Sequence, residues 1–83
     1  MAIVNQEEIV QVLGLYTSQL YSNWYAAQVV VKRDGVFYRI RLPYNTVKQA
    51  NEAQQFLNGK IPTMPETTYN PVIHKCDRDG NVR

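Results

Sequence analysis

The residues of this 83-residue chain with the most reactive side chains lie near its C-terminus. His74 and Cys76 are two positions apart, so a strand would place both side chains on one face. A zinc site needs four protein ligands, or three and a water, and the chain has no other histidine or cysteine. Side chains on one strand face point in parallel, which suits a nucleophile and its base poorly. We therefore predict no metal site, unless two copies share one, and no cofactor.

The sequence offers no other catalytic pattern. Asp77-Arg78-Asp79-Gly80-Asn81 contains part of a calcium-loop pattern, but an EF-hand loop needs a glycine at its sixth position and a glutamate at its twelfth, and neither is present. There is also no glycine-rich phosphate loop and no pair of carboxylates set up for acid–base work. We predict that the protein is not an enzyme.

A β-hairpin predicted between Ala26 and Pro43 must position any binding surface. Asp34-Gly35 separates two β-rich runs, and a type I′ turn needs positive φ at both central residues. With these two residues as the loop, Arg33 lies opposite Val36 and the pairing continues outward. Because side chains alternate, one face is apolar and predicted to be the core face: Ala27, Val29, Val31, Val36, Tyr38, Ile40 and Leu42. The second face carries Gln28, Val30, Lys32, Phe37, Arg39 and Arg41.

The positive charge of the chain is concentrated on this hairpin. Residues 28–48 hold five basic residues against one acidic residue, whereas the rest holds four against six. Cations beside an exposed aromatic ring are what single-stranded nucleic acid would use. The alternative is that a sheet covered on one side is simply polar on the other. The candidate nucleic-acid-binding residues are Lys32, Phe37, Arg39, Arg41 and Lys48.

A second candidate surface is aromatic. Tyr21, Trp24 and Tyr25 fall within five residues, and Tyr69 follows in a proline-containing segment. Because tyrosine and tryptophan are enriched in interface hot spots, these four residues form a candidate protein interface. The alternative is that Trp24 anchors the core where a helix meets a strand, with the tyrosines around it.

Two helices are predicted to flank the hairpin. The first begins after Asn5, with Glu8 completing a capping box, and runs from about residue 6 to about residue 22. Its apolar residues recur at helical spacing: Ile9, Val12, Leu13, Tyr16 and Leu20. The second spans about residues 46–58 and stops at Asn58-Gly59. The predicted fold class is α+β in the order α–β–β–α, with an antiparallel hairpin and both helices packed on one face of the sheet.

The chain is predicted to form one domain. Residues 1–60 make the α+β core, and residues 61–83 form an extended proline-containing segment with a polar tail, in which residues 71–76 could add a third strand. No apolar run approaches the length of a membrane span, and no signal peptide is recognised. With its single cysteine, the chain is expected to be cytoplasmic.

Two functions are compatible with these features. The first is a small non-enzymatic interaction protein, an adaptor or inhibitor that binds a protein partner or associates with itself, with a dimer expected. The alternative is a nucleic-acid-binding module that uses the basic and aromatic face of the hairpin.

Overall fold

The computed structural model describes residues 4–17, 25–62, 64–67 and 70–82. After a 3₁₀ turn at Gln6–Glu8, the elements are β1 Ile9–Thr17, β2 Tyr25–Arg33, β3 Val36–Tyr44, α1 Val47–Leu57 and β4 Val72–Cys76. The four strands form one antiparallel sheet in the order β1-β2-β3-β4.

The β2–β3 hairpin has the register that the sequence predicts. Arg33 pairs with Val36, and the ladder runs without a shift to the pair of Tyr25 and Tyr44. Asp34 has φ of 52° and Gly35 has φ of 80°, the two positive values that a type I′ turn requires. The predicted apolar face is therefore the face on which the core is built.

The predicted helix over residues 6–22 is wrong, and the α–β–β–α fold class is wrong with it. The Asn5–Glu8 capping box is present, but it starts only the 3₁₀ turn. The chain becomes extended at Ile9 and pairs with β2 through Thr17, while residues 18–24 lie outside the described part. The observed fold is a four-stranded antiparallel sheet with a single α-helix among the described residues.

Two β-bulges explain why this strand looks helical in sequence. Val10 and Leu13 are extra residues in β1 that have no partner of their own in β2. Each bulge delays the alternation by one position, so the residues opposite the core face of β2 are three apart: Ile9, Val12 and Leu15. Gly14 follows the second bulge with φ of 124°, a value that glycine adopts readily and other residues rarely.

The segment proposed as an optional third strand is the fourth strand of the sheet. β4 pairs with Phe37–Arg41 of β3. The helix before it, α1, falls within its predicted span. The Thr46 hydroxyl accepts the N–H of Gln49 at 3.2 Å and so caps this helix. No helix in the described part of the chain is long and apolar enough to cross a membrane.

The core lies between α1 and the first face of the sheet. Its buried residues come from the strands, the helix and two flanking segments: Val4, Ala27, Val29, Val31, Ile40, Leu42, Tyr44, Ala53, Phe56, Leu57 and Met64. The contacts of α1 are mainly with β1 and β2. On this face Ile40 and Leu42 of β3 are fully buried, whereas Val36 at the start of β3 and Ile73 of β4 are 37% and 46% exposed.

Polar contacts hold the flanking segments to this core. The Gln6 side-chain amide donates to the carbonyls of Phe56 and Ile61. Arg33 donates to Glu8 with an Nε–Oε2 distance of 2.6 Å, and this hydrogen bond holds the pKa of Glu8 below its ordinary value. The Tyr44 hydroxyl donates to the Pro65 carbonyl at 3.1 Å, and burial raises the pKa of that hydroxyl.

Ile40 and Ile73 provide a matched test of this arrangement. They are direct cross-strand partners, but Ile40 is 0% exposed and Ile73 is 46% exposed. At low micromolar protein concentration, we expect Ile40→Ala to lower the free energy of unfolding by about 2–5 kcal/mol, because it leaves a cavity in the core. Ile73→Ala should lower it by about 1 kcal/mol or less. Urea unfolding followed by circular dichroism measures both, and equal losses would contradict the edge position of β4.

Candidate interaction surfaces

The second face of the hairpin brings four of the five candidate nucleic-acid-binding residues together. Its pairing puts Lys32 opposite Phe37, with Arg39 and Arg41 two and four positions further along β3. Strand β4 extends this face, since partners directly opposite one another share a face of the sheet. The residues that β4 adds lie opposite Arg41, Arg39 and Phe37: Val72, His74 and Cys76.

Phe37 is held between two cations. The Lys32 Nζ lies 5.7 Å from the ring centroid and the Arg78 Cζ lies 5.8 Å from it, both within the range of a cation–π interaction. Sequence reasoning missed Arg78, because only the pairing of β4 with β3 brings residue 78 beside the hairpin. The ring borders an open groove of about 640 Å³ lined by Gly35, Val36, Phe37, Lys75, Cys76, Asp77, Arg78 and Asp79. Two cations and two carboxylates line this groove, so its charge favours no anion.

The Arg39 guanidinium is engaged in hydrogen bonds within the protein. Its Nε and Nη2 donate to the Gln28 Oε1 at 3.0 and 2.8 Å, and its Nη1 donates to the Gly80 carbonyl at 3.2 Å. These contacts tie β2 and β3 to residues 77–82, the C-terminal turn. A phosphate would have to compete with them for the guanidinium.

The C-terminal turn covers the middle of the second face. Gly80 is buried, and a Cβ placed on it would lie 3.3 Å from the Val30 Cγ2 and 3.4 Å from the Leu13 Cδ1. Val30, which the sequence places on the polar side, is 0% exposed for this reason. The turn is built on Asp77, whose Oδ1 accepts the N–H groups of Asp79 and Asn81, each at 2.9 Å.

The residues of the calcium-like pattern near the C-terminus make hydrogen bonds within this turn. The carboxylate of Asp77 is occupied by backbone N–H groups and by the Asn81 side-chain amide. Within the described ranges, no three histidine, cysteine or acidic residues cluster in a way that could hold a metal ion. His74 is exposed and Cys76 is buried on the same strand face.

Lys48 is separated from the other candidate residues. It lies in α1, the helix that packs on the first face, and borders a shallow depression with Asn45, Thr46, Gln49 and Glu52. No residue of the second face lines this depression. Of the five predicted residues, Lys48 therefore lies apart from the other four, and Arg78 joins Lys32 beside Phe37.

The predicted aromatic interface falls mostly outside the described residues. Tyr21, Trp24 and Tyr69 are not among the residues that the structure describes. Tyr25 begins β2, is partly buried and packs against the core. An interface at these four residues stays a prediction.

A third surface is the outer side of β4, which sequence reasoning did not single out. Strand β4 pairs with β3 on its inner side, and Cys76 also bridges to Val82. For Val72–Lys75, no pairing partner is found on the outer side among the described residues. Val72 and Ile73 are 43% and 46% exposed. We call Val72–Lys75 the β4 edge.

The β4 edge differs from the opposite edge of the sheet at β1. The two bulges of β1 interrupt its ladder, and bulged edges are poor templates for a further strand. A Cβ placed on Gly14 would lie 3.8 Å from the Tyr16 ring, whose hydroxyl donates to the Leu13 carbonyl at 2.7 Å. The pairing of β4 with β3 has no such shift, so its outer side offers a regular strand.

No protein-family model matches the chain, and no curated protein or solved structure is significantly similar to it. Its function is therefore inferred from the two surfaces just described, the second face of the hairpin and the β4 edge.

Proposed function

We propose that this chain is a small non-enzymatic interaction protein that binds a protein partner, or a second copy of itself, at the β4 edge. The observation that carries the proposal is a regular edge strand with two exposed aliphatic residues, Val72 and Ile73. As part of the same proposal the protein acts in the cytoplasm, where its single cysteine stays reduced.

Strand addition is the binding mode that fits this edge. A sheet edge presents a row of N–H and C=O groups that a further strand can pair with. In such complexes main-chain hydrogen bonds supply affinity, and alternate side chains supply specificity. Here Ile73 would contact the added strand on the first face and Val72 on the second, because they lie opposite Ile40 and Arg41.

The charge around the edge favours particular partner sequences. Strands β3 and β4 contain Arg39, Arg41 and Lys75 and no acidic residue. A foreign strand with an aliphatic residue beside Ile73 on the first face and acidic residues near Arg41 on the second face would therefore be favoured, since complementary charge steers association and fixes register.

A peptide selection tests the proposal. Random peptides displayed on phage are selected on the wild-type protein and counter-selected on Ile73→Glu, which places a charge at the centre of the edge. We expect the enriched peptides to bind the wild type in an extended conformation and to shift the amide signals of Val72–Lys75 in a ¹⁵N spectrum.

Val47→Glu is the matched control for this selection. Val47 is 59% exposed on α1, so the same substitution there should leave peptide binding unchanged. Peptides that bind Ile73→Glu as well as they bind the wild type, or that shift signals elsewhere in the protein, would contradict the proposal.

A second candidate function, nucleic-acid binding, is favoured by the surroundings of Phe37. Its partly exposed ring lies between Lys32 and Arg78, and exposed Arg41 lies on the same face. Bases stack on aromatic rings and phosphates bind nearby cations in single-stranded complexes. The mixed charge of the neighbouring groove and the commitment of Arg39 to the C-terminal turn make this candidate the weaker one.

Fluorescence anisotropy with short single-stranded DNA and RNA tests this candidate at about 50 and 200 mM salt, where phosphate contacts weaken steeply. We expect Lys32→Ala and Arg41→Ala each to reduce affinity several-fold. Lys48→Ala, on the helix side, should leave it unchanged. Arg39→Ala is unsuitable as a probe because it also releases the C-terminal turn. Absence of binding at 50 mM salt, or an equal loss in Lys48→Ala, would rule the hairpin face out.

A further inference from the structure

We infer that the occupant of the β4 edge is the β4 strand of a second copy, paired antiparallel about a two-fold axis at Ile73. The two four-stranded sheets then join into one continuous sheet. This inference rests on the proposed use of the β4 edge and names its partner.

An apolar row that crosses the sheet is the first observation behind it. On the first face, the pairings place one residue from each strand side by side: Val12, Val29, Ile40 and Ile73. Val29 and Ile40 are fully buried, whereas both ends of the row are exposed: Val12 is 44% exposed on the bulged strand β1, and Ile73 is 46% exposed on the regular strand β4. Pairing Ile73 with Ile73 of a second copy continues the row with an identical apolar neighbour. Aliphatic cross-strand pairs of this kind stabilise a sheet.

The two-fold symmetry restricts the register. An axis perpendicular to the sheet keeps the first faces of both copies on the same side, so one residue must lie opposite itself. With Ile73 at the axis, Val72 lies opposite His74 of the second copy and Lys75 opposite Pro71. No like charges face one another in this arrangement, so it avoids the destabilisation that directly opposed like charges cause.

The neighbouring registers fit less well. An axis at His74 would set the two imidazoles against each other and place Val72 opposite Cys76, which already bridges to Val82. An axis at Val72 would place Ile73 opposite Pro71 and His74 opposite Asn70, so the two Ile73 side chains would not meet and the apolar rows would not join. Only the register centred on Ile73 uses the open part of the edge and joins the two apolar rows.

The size and charge of the chain agree with a paired state. Domains of about 80 residues have small cores, and oligomerisation is one of the ways in which they gain stability. The formal net charge of each copy is only +2, so long-range repulsion between two copies is weak. The interface is self-complementary, as a two-fold dimer requires.

Disulfide cross-linking tests the position of the axis. Residues directly opposite in an antiparallel pair have Cα atoms about 4.5–5.5 Å apart, within the range of a disulfide, whereas residues offset along the strands lie beyond it. We expect Ile73→Cys to oxidise to a covalent dimer at least ten times faster than His74→Cys or Val47→Cys. The native Cys76 is 5% exposed and is present in all three variants, so it provides a common background.

The mass of the protein in solution gives the second readout. Light scattering between about 10 μM and 1 mM should show the wild type and Val47→Glu approaching twice the mass of one chain, and Ile73→Glu remaining a single chain. A wild type that stays monomeric throughout, or cross-linking that is equal at residues 73, 74 and 47, overturns the inference. Selected peptides that still bind the β4 edge would then leave the proposed function standing, and loss of both results would overturn both.

Discussion

The register of the β2–β3 hairpin is the constraint on which the rest of the structure depends. It is set by Asp34 and Gly35, whose positive φ values give the tight turn the twist of the strands it joins. A slip of one residue would send the buried valines and Ile40 to the opposite face. The same register orders the core under α1, aligns the cations of the second face, and gives β1 and β4 the two ladders on which they pair.

Other parts of the protein pack on both faces of this hairpin, so its basic residues do not all form a free binding surface. The sequence shows a polar face, but the C-terminal turn packs Gly80 over Val30 and Leu13 and is held there by Arg39. Arg39 therefore has a structural role, and Lys32 and Arg78 lie beside the Phe37 ring. Helix α1 and the C-terminal turn cover the two faces of the sheet only in part, and apolar side chains stay exposed, among them Val36, Val72 and Ile73.

Sequence reasoning succeeds where a local rule decides the structure and fails where distant pairing decides it. The hairpin and α1 follow from turn and capping residues within a few positions of each other. Strand β1 does not, because its bulges give Ile9, Val12 and Leu15 the spacing of a helix, and the strand exists only because the edge of β2 supplies its hydrogen bonds. The roles of Arg39 and Arg78 depend on β4, which joins parts of the chain some forty residues apart, so no local pattern could reveal them.

The central claim is that the β4 edge of one copy meets the same edge of another. An isotope-filtered NMR experiment on an equal mixture of ¹³C-labelled and unlabelled protein, at a concentration of about 1 mM, tests it most directly. We expect intermolecular contacts between the Ile73 methyl groups of the two copies, with weaker ones from Val72 to His74. Intermolecular contacts confined to β1, or none at all, would contradict it.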